Sequence, residues 1–402
     1  MSLDMTDTGR KDKDMNDFSF HVPTDIRFGR GSIVCLPGEL KKYGSRILLV
    51  YGGGSIKRTG LYDTVSELLR EFEIFELPGI EPNPKLSSVR SGAKICKDNK
   101  IDMVLAVGGG SCIDASKHIA AAACYEGDPW ELVLDRSKVK NALPIAVVLT
   151  ICATGSEMNP GAVISNEDSH EKLELNTPLL YPAISICDPT YLYTLPASQT
   201  AAGAVDILSH VMEQYFQPND GAYITDTMSE AVMKTVIKYA PIAMERPDDY
   251  EARSNLMWAS TIALNHLLTA GKGGAWSVHP IEHVVSAYYD ITHAVGLAIL
   301  TPVWMRYVLD DTNKARFARF AREVWEVRES DDMEAAEKGI ECVSSFNKSL
   351  GMPASFSEIG ITSELFDKMA EEAVRTSGLA ERSYVKLTPE DVSQILYNAR
   401  GL

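Results

Sequence analysis

The sequence predicts two domains in series, an α/β domain with a parallel sheet and then an all-helical domain. Its 402 residues exceed the roughly 250 to 300 that one hydrophobic core usually supports. Apolar, strand-like runs alternate with helical patterns from Arg46 to about Pro196. From Ser198 onward helical periodicity dominates, and hardly any segment is rich in β-forming residues.

The first half repeats a unit of strand, turn and helix. "RILLVY" predicts a buried strand, "GGGS" a turn, and "GLYDTVSELLREF" a helix. "EIFELP" with "SSVRSGAKICKDN", and "DMVLAVGGGS" with "CIDASKHIAAAAC", repeat the unit, and "PIAVVLT" adds a strand before the turn "CATGSE". Alternation at this spacing predicts a parallel sheet with helices on both faces.

Proline near the end of the last strand-like run marks the predicted boundary. We place the α/β domain at residues 18–196 and the helical domain at residues 197–402. Residues 1–17, "MSLDMTDTGRKDKDMND", are polar and aperiodic. We predict that they form a disordered end or one left by the cloning vector.

The charge balance favours small-molecule chemistry. Acidic residues outnumber basic ones, and the net charge of -16 opposes binding to nucleic acid or anionic lipid. No run approaches the ~20 apolar residues of a membrane span. Seven cysteines are scattered without a C-x-x-C pair, which indicates a reduced, cytoplasmic protein.

Two glycine turns predict a dinucleotide site. They comprise Gly52, Gly53, Gly54 and Ser55, and Gly108, Gly109, Gly110 and Ser111. Each follows an apolar strand and precedes a helix, where backbone N–H groups can approach a pyrophosphate. The alternative is that these glycines only close tight turns. Because no carboxylate stands in the first turn, and Ser55, Lys57 and Arg58 lie just beyond Gly53, we predict NADP rather than NAD.

Metal-ligand residues cluster in the second half. In "AGAVDILSH", Asp206 and His210 are four apart, so they share one helical face. "WSVHPIEHVVSAYYDITHAVG" contains His279, His283 and His293. A straight helix would separate His279 from His293 by about 21 Å, so both can bind one metal only if the chain bends, with Asp290 suited to cap a new helix.

Spacing alone therefore leaves five candidates for about four positions. Isolated histidines on apolar helices are more often packing residues, but five clustered candidates favour a site. Aspartate and histidine without cysteine suit one divalent ion, Fe(II) or Zn(II).

Several motifs together resemble the iron-containing, or group III, alcohol dehydrogenases. They are "YGGGSIKRTGLYD", "DMVLAVGGGSCIDASK", "CATGSEMN", "SICDPTYLYTLP", "GAVDILSHVMEQY", "LTAGKGGAWSVHPIEH" and "THAVGLAILTP". The resemblance covers nearly the whole chain from Phe18 and is strongest to the NADPH-dependent butanol dehydrogenase and aldehyde reductase branch. It implies a Rossmann-like nucleotide domain, a helical metal-binding domain, and an architecture shared with dehydroquinate synthase.

The resemblance also implies roles for residues. The metal ligands fall on Asp206, His210, His279 and His293, which leaves His283 unligated beside the metal. Cofactor contacts fall on Gly108 to Ser111 for the pyrophosphate, Asp114 beside the nicotinamide, Thr150, Thr154, Lys172 at the ribose, and Tyr191. Two departures are Ala294, where many relatives have glycine, and the turn "TICATGSE". The family also implies a homodimer.

The expected activity is reversible hydride transfer between NADP(H) and a primary alcohol or aldehyde such as butanol or butyraldehyde. His283, one turn from a ligand, is the candidate proton relay; the alternative is a supporting or packing role. Rival functions are a glycerol or other polyol dehydrogenase, a sugar-phosphate cyclase of the dehydroquinate synthase type, and a nucleotide-binding protein with a structural metal. The cyclase is disfavoured, because the segments near the metal offer only Lys272 to bind a substrate phosphate.

Overall fold

A computed structural model describes residues 14–218 and 221–401. The prediction for residues 1–17 therefore falls mainly outside the described residues. The described strands are β1 Asp25–Phe28, β2 Arg46–Tyr51, β3 Glu73–Leu77, β4 Met103–Gly108, β5 Ile145–Leu149, β6 Gly161–Asn166, β7 Glu171–Asn176 and β8 Ile184–Cys187.

Helices occupy both halves of the chain. In the first half they are α1 Leu36–Leu40, α2 Ser55–Arg58, α3 Leu61–Leu68, α4 Leu86–Asn99, α5 Gly110–Ala123 and α6 Trp130–Leu134. In the second half they are α7 Ala197–Tyr215, α8 Tyr223–Glu245, α9 Tyr250–Ala263, α10 His279–Tyr289, α11 His293–Val308, α12 Lys314–Trp325, α13 Asp332–Ser349, α14 Phe366–Thr376, α15 Leu379–Arg382 and α16 Pro389–Ala399.

Six strands form one parallel sheet in the order β1-β8-β5-β4-β2-β3. All residues of the central strands β4 and β5 are buried. Continuous apolar runs of this kind are typical of a parallel sheet covered on both faces. The predicted fold class, an α/β domain followed by helices, is confirmed.

A second, antiparallel sheet was not predicted from the sequence. Strands β6 and β7 form a hairpin with register from Gly161↔Asn176 to Asn166↔Glu171. Its second strand, "EKLELN", carries three charged residues, so it lacks the apolar signal of the other strands. Strand β7 packs against α10 and brings Lys172, a predicted cofactor contact, to that helix.

The helical half is organised around α7. From Gly203 to Tyr215 every residue of α7 is buried, and the helix packs against α8, α9 and α11. A helix that is enclosed on all sides can hold polar side chains only where they have partners or a ligand. The change from strands to helices falls between Cys187 and Ala197, while the predicted domain division itself stays a prediction. Within the described part of the chain, no helix has the length and apolar character to cross a membrane.

Candidate functional site

Both glycine turns lie at one edge of the large sheet. Strands β2 and β4 are neighbours, with Tyr51 paired to Val107, and β3 lies on the far side of β2 from β4. The order of strands therefore reverses between β2 and β4. In open α/β sheets, ligands bind at this point, outside the carboxyl ends of the strands.

The second glycine turn packs closely against the segment after β5. A Cβ on Gly108 would lie 2.5 Å from Cys112 Sγ, one on Gly109 2.9 Å from Ile151 Cβ, and one on Gly110 2.5 Å from Thr154 Cγ2. The backbone N–H of Thr150 donates to Gly108 O at 3.0 Å. Only glycine fits these positions, and the predicted residues Thr150 and Thr154 are brought to the turn.

Asp114, predicted to lie beside the nicotinamide, already has two protein partners. Its Oδ1 accepts from Ser156 Oγ at 2.7 Å, and its Oδ2 accepts from Val163 N at 3.0 Å. Burial raises the pKa of this carboxyl, against the opposing effect of Lys117. Asp114 thus joins α5 to the start of the hairpin, and its predicted contact with the cofactor stays a prediction.

Lys172 lies where the two halves of the chain meet. Its side chain is buried, and its Nζ is 3.7 Å from Glu282 Oε2 of α10. The hairpin thereby places a cation of the α/β half beside the helices that carry the histidines. Tyr191 lies in the turn after β8 and packs against a cluster of buried hydrophobic side chains on one face of the large sheet. Burial raises the pKa of Tyr191 to about 12, and its predicted role stays a prediction.

Lys57, which follows the first glycine turn, has its ammonium close to two tyrosine rings. Lys57 Nζ lies 4.4 Å from the ring centre of Tyr62 and 5.1 Å from that of Tyr51. Both tyrosine hydroxyls donate to Glu76 at 2.6 Å. The ammonium of Lys57 is therefore drawn towards β3, whereas Arg58 Nη1 lies 3.9 Å from where a Cβ on Gly54 would be.

Four predicted metal ligands converge from three helices. Asp206 and His210 lie on α7, His279 begins α10, and His293 begins α11. Asp206 Oδ1 is 3.8 Å from His293 Nε2 and 3.7 Å from His210 Nδ1. The ring of His279 is 4.8 Å from that of His210 and 5.1 Å from that of His293, between centres. Asp206, His279 and His293 each offer a ligand atom within 4.8 Å of the others.

The chemistry of this cluster fits a divalent cation. Three of its atoms, Asp206 Oδ1, His210 Nδ1 and His279 Nε2, are buried with no hydrogen-bond partner among the described residues. Burying unpartnered polar atoms is costly unless a ligand satisfies them. Burial lowers the pKa of His210 to about 4, which keeps its imidazole in the neutral form that binds metals.

A bend between α10 and α11 brings the histidines together. Asp290 has φ of 48° and ends α10, and Thr292 precedes α11. The predicted bend is present, but the prediction that Asp290 caps the new helix is wrong. Its side chain instead accepts from Asn83 Nδ2 at 2.9 Å, with Lys85 Nζ at 3.4 Å, so the α/β half holds the bend.

Two buried glutamates beside the histidines were missed from the sequence. Glu213 Oε1 is 3.1 Å from His279 Nδ1, and Glu282 Oε2 is hydrogen-bonded to His293 Nδ1. Glu213 also accepts from the backbone N–H groups of Ser277, Val278 and His279 at 2.7, 2.7 and 2.8 Å. Glu213 could have been found from its spacing, three residues after His210 on the same helical face.

His283 lies beside the cluster. Its ring centre is 5.5 Å from that of His293 and 6.3 Å from that of His279. Burial, together with Lys172 and His293, holds the pKa of His283 well below its ordinary value. The imidazole is therefore held in its neutral form.

Two family models match the chain. Residues 23–189 match the model described as iron-containing alcohol dehydrogenase. Residues 200–400 match the C-terminal model of the Fe-containing alcohol dehydrogenase family. Together they cover most of the chain, and each matches one of the two halves described above.

Similar proteins agree with these matches. NADH-dependent butanol dehydrogenase A of Clostridium acetobutylicum is 50% identical over 95% of this chain and 99% of its own length. The NADPH-dependent aldehyde reductase YqhD of Escherichia coli is 38% identical over 96% of this chain and 100% of its own. A crystal structure of NADH-dependent butanol dehydrogenase A from Thermotoga maritima, 43% identical, superposes with a TM-score of 0.92 over 96% of this chain and 100% of that one.

Proposed function

The chain belongs to the iron-containing alcohol dehydrogenase family and interconverts alcohols and aldehydes with a nicotinamide cofactor, and on that premise we propose the finer assignments. The substrates are primary alcohols and aldehydes such as butanol and butyraldehyde. One divalent ion, Fe(II) or Zn(II), is held by Asp206, His210, His279 and His293. The observation that carries this proposal is the convergence of these ligand-type side chains, whose buried atoms include three without a hydrogen-bond partner among the described residues.

The chain's own residues then position the reactants. A metal held by these four residues would supply Lewis-acid polarisation of the alcohol or aldehyde oxygen, and a nicotinamide would supply the hydride exchange. Trp276 lies edge-on to His279, with ring centres 4.8 Å apart, and it is partly exposed. We assign to Trp276 an apolar wall against which an alkyl chain packs.

Metal analysis combined with an aldehyde panel tests this function. We expect one Fe or Zn per chain and oxidation of NAD(P)H with short and long aldehydes. Chelation should abolish turnover without unfolding the protein, and metal addition should restore it. Loss of the fold on chelation would instead favour the rival function, a nucleotide-binding protein with a structural metal.

The position of Lys272 argues against the sugar-phosphate cyclase alternative. Its Nζ is 2.7 Å from Asp226 and donates to Gln214 O at 2.8 Å, and its side chain is fully buried. A cation committed to this internal pair does not offer the substrate clamp that a phosphate would need. Lys172, which the structure also brings to the helices of the histidines, already faces Glu282 Oε2 at 3.7 Å.

The preference for NADP(H) rests on the first glycine turn. Gly53 is exposed, and a Cβ there would meet nothing within 4 Å, so this position leaves space for a 2′-phosphate and itself brings no carboxylate. Since Lys57 is drawn to the two tyrosines, we assign the phosphate contact to Arg58 and Ser55. The related enzymes carry names of both cofactor types, so the preference has to be measured on this chain.

Replacing Arg58 should separate the two cofactors. We expect Arg58→Ala to lower kcat/KM with NADPH by about 10-fold, the size of one charge-assisted hydrogen bond, and to leave NADH unaffected. Lys57→Ala is the matched control and should have a smaller effect, because its ammonium is held elsewhere. A wild-type preference for NADH, or an equal loss with both cofactors in Arg58→Ala, would contradict the assignment.

His283 is the proposed proton relay, and its replacement should slow turnover. We expect His283→Ala to lower kcat by about 100-fold, a typical contribution of general acid–base catalysis, and to alter the pH profile. Metal content should stay at the wild-type level. His170→Asn is the control, since His170 is exposed and has φ of 54°, which asparagine tolerates. Wild-type turnover and pH profile in His283→Ala would remove the relay role.

A further inference from the structure

Glu282 is the buried carboxylate that contacts both halves of the site. It lies on α10, and its side chain has no solvent exposure. On one side its Oε2 is hydrogen-bonded to His293 Nδ1 of α11. On the other side the same oxygen is 3.7 Å from Lys172 Nζ of β7. Its Oε1 accepts from Ser286 Oγ one turn further along α10.

Space for this side chain is made by a glycine on the neighbouring helix. A Cβ on Gly296 of α11 would lie 2.6 Å from Glu282 Cγ and 3.0 Å from its Oε1. Gly296 is three residues after His293, so it lies on the same face of α11. The missing side chain at Gly296 leaves a slot between α10 and α11. Through this slot Glu282 reaches the imidazole of His293.

The hydrogen bond determines which nitrogen of His293 is free. With Nδ1 occupied by Glu282, Nε2 is the nitrogen left to bind a metal, and it is the atom 3.8 Å from Asp206 Oδ1. A carboxylate on the outer nitrogen of a metal-binding histidine fixes its tautomer and orientation and raises its basicity.

We propose that Glu282 is a positioning residue that orients His293 towards the metal and holds Lys172 of the α/β half against its own carboxylate. This inference rests on the proposed metal site. The two halves of the active site are thereby joined through one side chain, in addition to the packing of β7 on α10.

A second metal position is the alternative use of the same atoms. Glu282, His283 and His293 each offer a ligand atom within 4.8 Å of the others. Glu282 Oε2, however, already faces His293 Nδ1 and the Lys172 ammonium. A dication at this point would be repelled by Lys172, so Glu282 acts as a hydrogen-bond acceptor.

The test is metal affinity in the Glu282→Gln variant. Metal-free protein is titrated with Co(II), followed by its visible absorption, and with Zn(II) in competition with a chromophoric chelator. We expect Glu282→Gln to bind both ions about 10- to 100-fold more weakly, the usual cost of losing such a partner, with an altered Co(II) spectrum. Glu372→Gln is the matched control. Glu372 accepts a hydrogen bond at 2.8 Å from the hydroxyl of Tyr288, a residue of α10, and this bond does not involve His293.

A second variant guards against a folding defect. Gly296→Ala keeps the Glu282 carboxylate but displaces its side chain. Alanine is favourable in a helix, so the fold should be retained. We expect this variant to weaken Co(II) binding, as Glu282→Gln does. Unchanged affinity and spectrum in folded Glu282→Gln or Gly296→Ala would overturn the inference. Two ions per wild-type chain, falling to one in Glu282→Gln, would overturn it in favour of a second metal. A wild-type chain that binds neither ion would remove the metal site itself, and the inference with it.

Discussion

Asp206→Asn is expected to lower kcat by about 100- to 1,000-fold, because the metal's stabilisation of the transition state contributes several kcal/mol. Asp206 is the anionic member of the four proposed ligands, and its buried Oδ1 has no hydrogen-bond partner among the described residues. Asparagine keeps the shape and loses the charge, so metal retention should fall with turnover. Steady-state kinetics and metal analysis of the same preparation measure both effects.

Stability distinguishes a metal ligand from a structural carboxylate. In metal-free protein Asp206→Asn should be at least as stable as wild type, since it removes a costly buried charge. Asp311→Asn serves as the control, because Asp311 is 84% exposed and pairs only at the surface with Lys314. Full metal content and normal turnover in Asp206→Asn would rule out its role as a ligand.

Glu213→Ala is expected to lower both the free energy of unfolding and metal affinity. Glu213 accepts the backbone N–H groups at the start of α10, where the helix dipole also favours a negative charge. Each buried donor left unpaired costs about 1 to 3 kcal/mol, so the loss should reach at least about 3 kcal/mol. Since His279 Nδ1 also loses its partner, metal affinity should fall about 10- to 100-fold.

A graded series separates these two consequences. Glu213→Gln keeps one acceptor oxygen, so it should retain more stability than Glu213→Ala while still weakening the metal site. Glu245→Ala, exposed at the end of α8, should change neither quantity. Chemical denaturation of metal-free protein gives the first quantity, and Co(II) titration gives the second. Wild-type stability in Glu213→Ala would show that α10 begins without this support.

The fold was predictable where apolar periodicity is strong. Strands β2 and β4 and the helices from α7 onward follow directly from it, and so does the edge of the sheet that carries the glycine turns. The β6–β7 hairpin was missed because its charged residues interrupt the apolar pattern. Its position is decided by packing against α10, which no local pattern encodes.

The candidate site was predictable only in part. Spacing identified Asp206 and His210 as one pair and required a bend between His279 and His293, but it could not choose four ligands from five candidates. The structure brings all five together, and the choice among them remains a proposal. Glu282 was missed because it reaches His293 across two helices, through a slot that depends on Gly296.

The bend at Asp290 makes the two halves of this enzyme poor candidates for exchange as separate modules. The spacing of His279 and His293 depends on that bend, and Asn83 and Lys85 hold it from the nucleotide-binding half. A chimera that joined this helical half to another α/β half would need equivalent residues after β3 to keep the histidines in register. Exchanging the α/β half to change the cofactor preference would therefore also change the geometry of the proposed metal site.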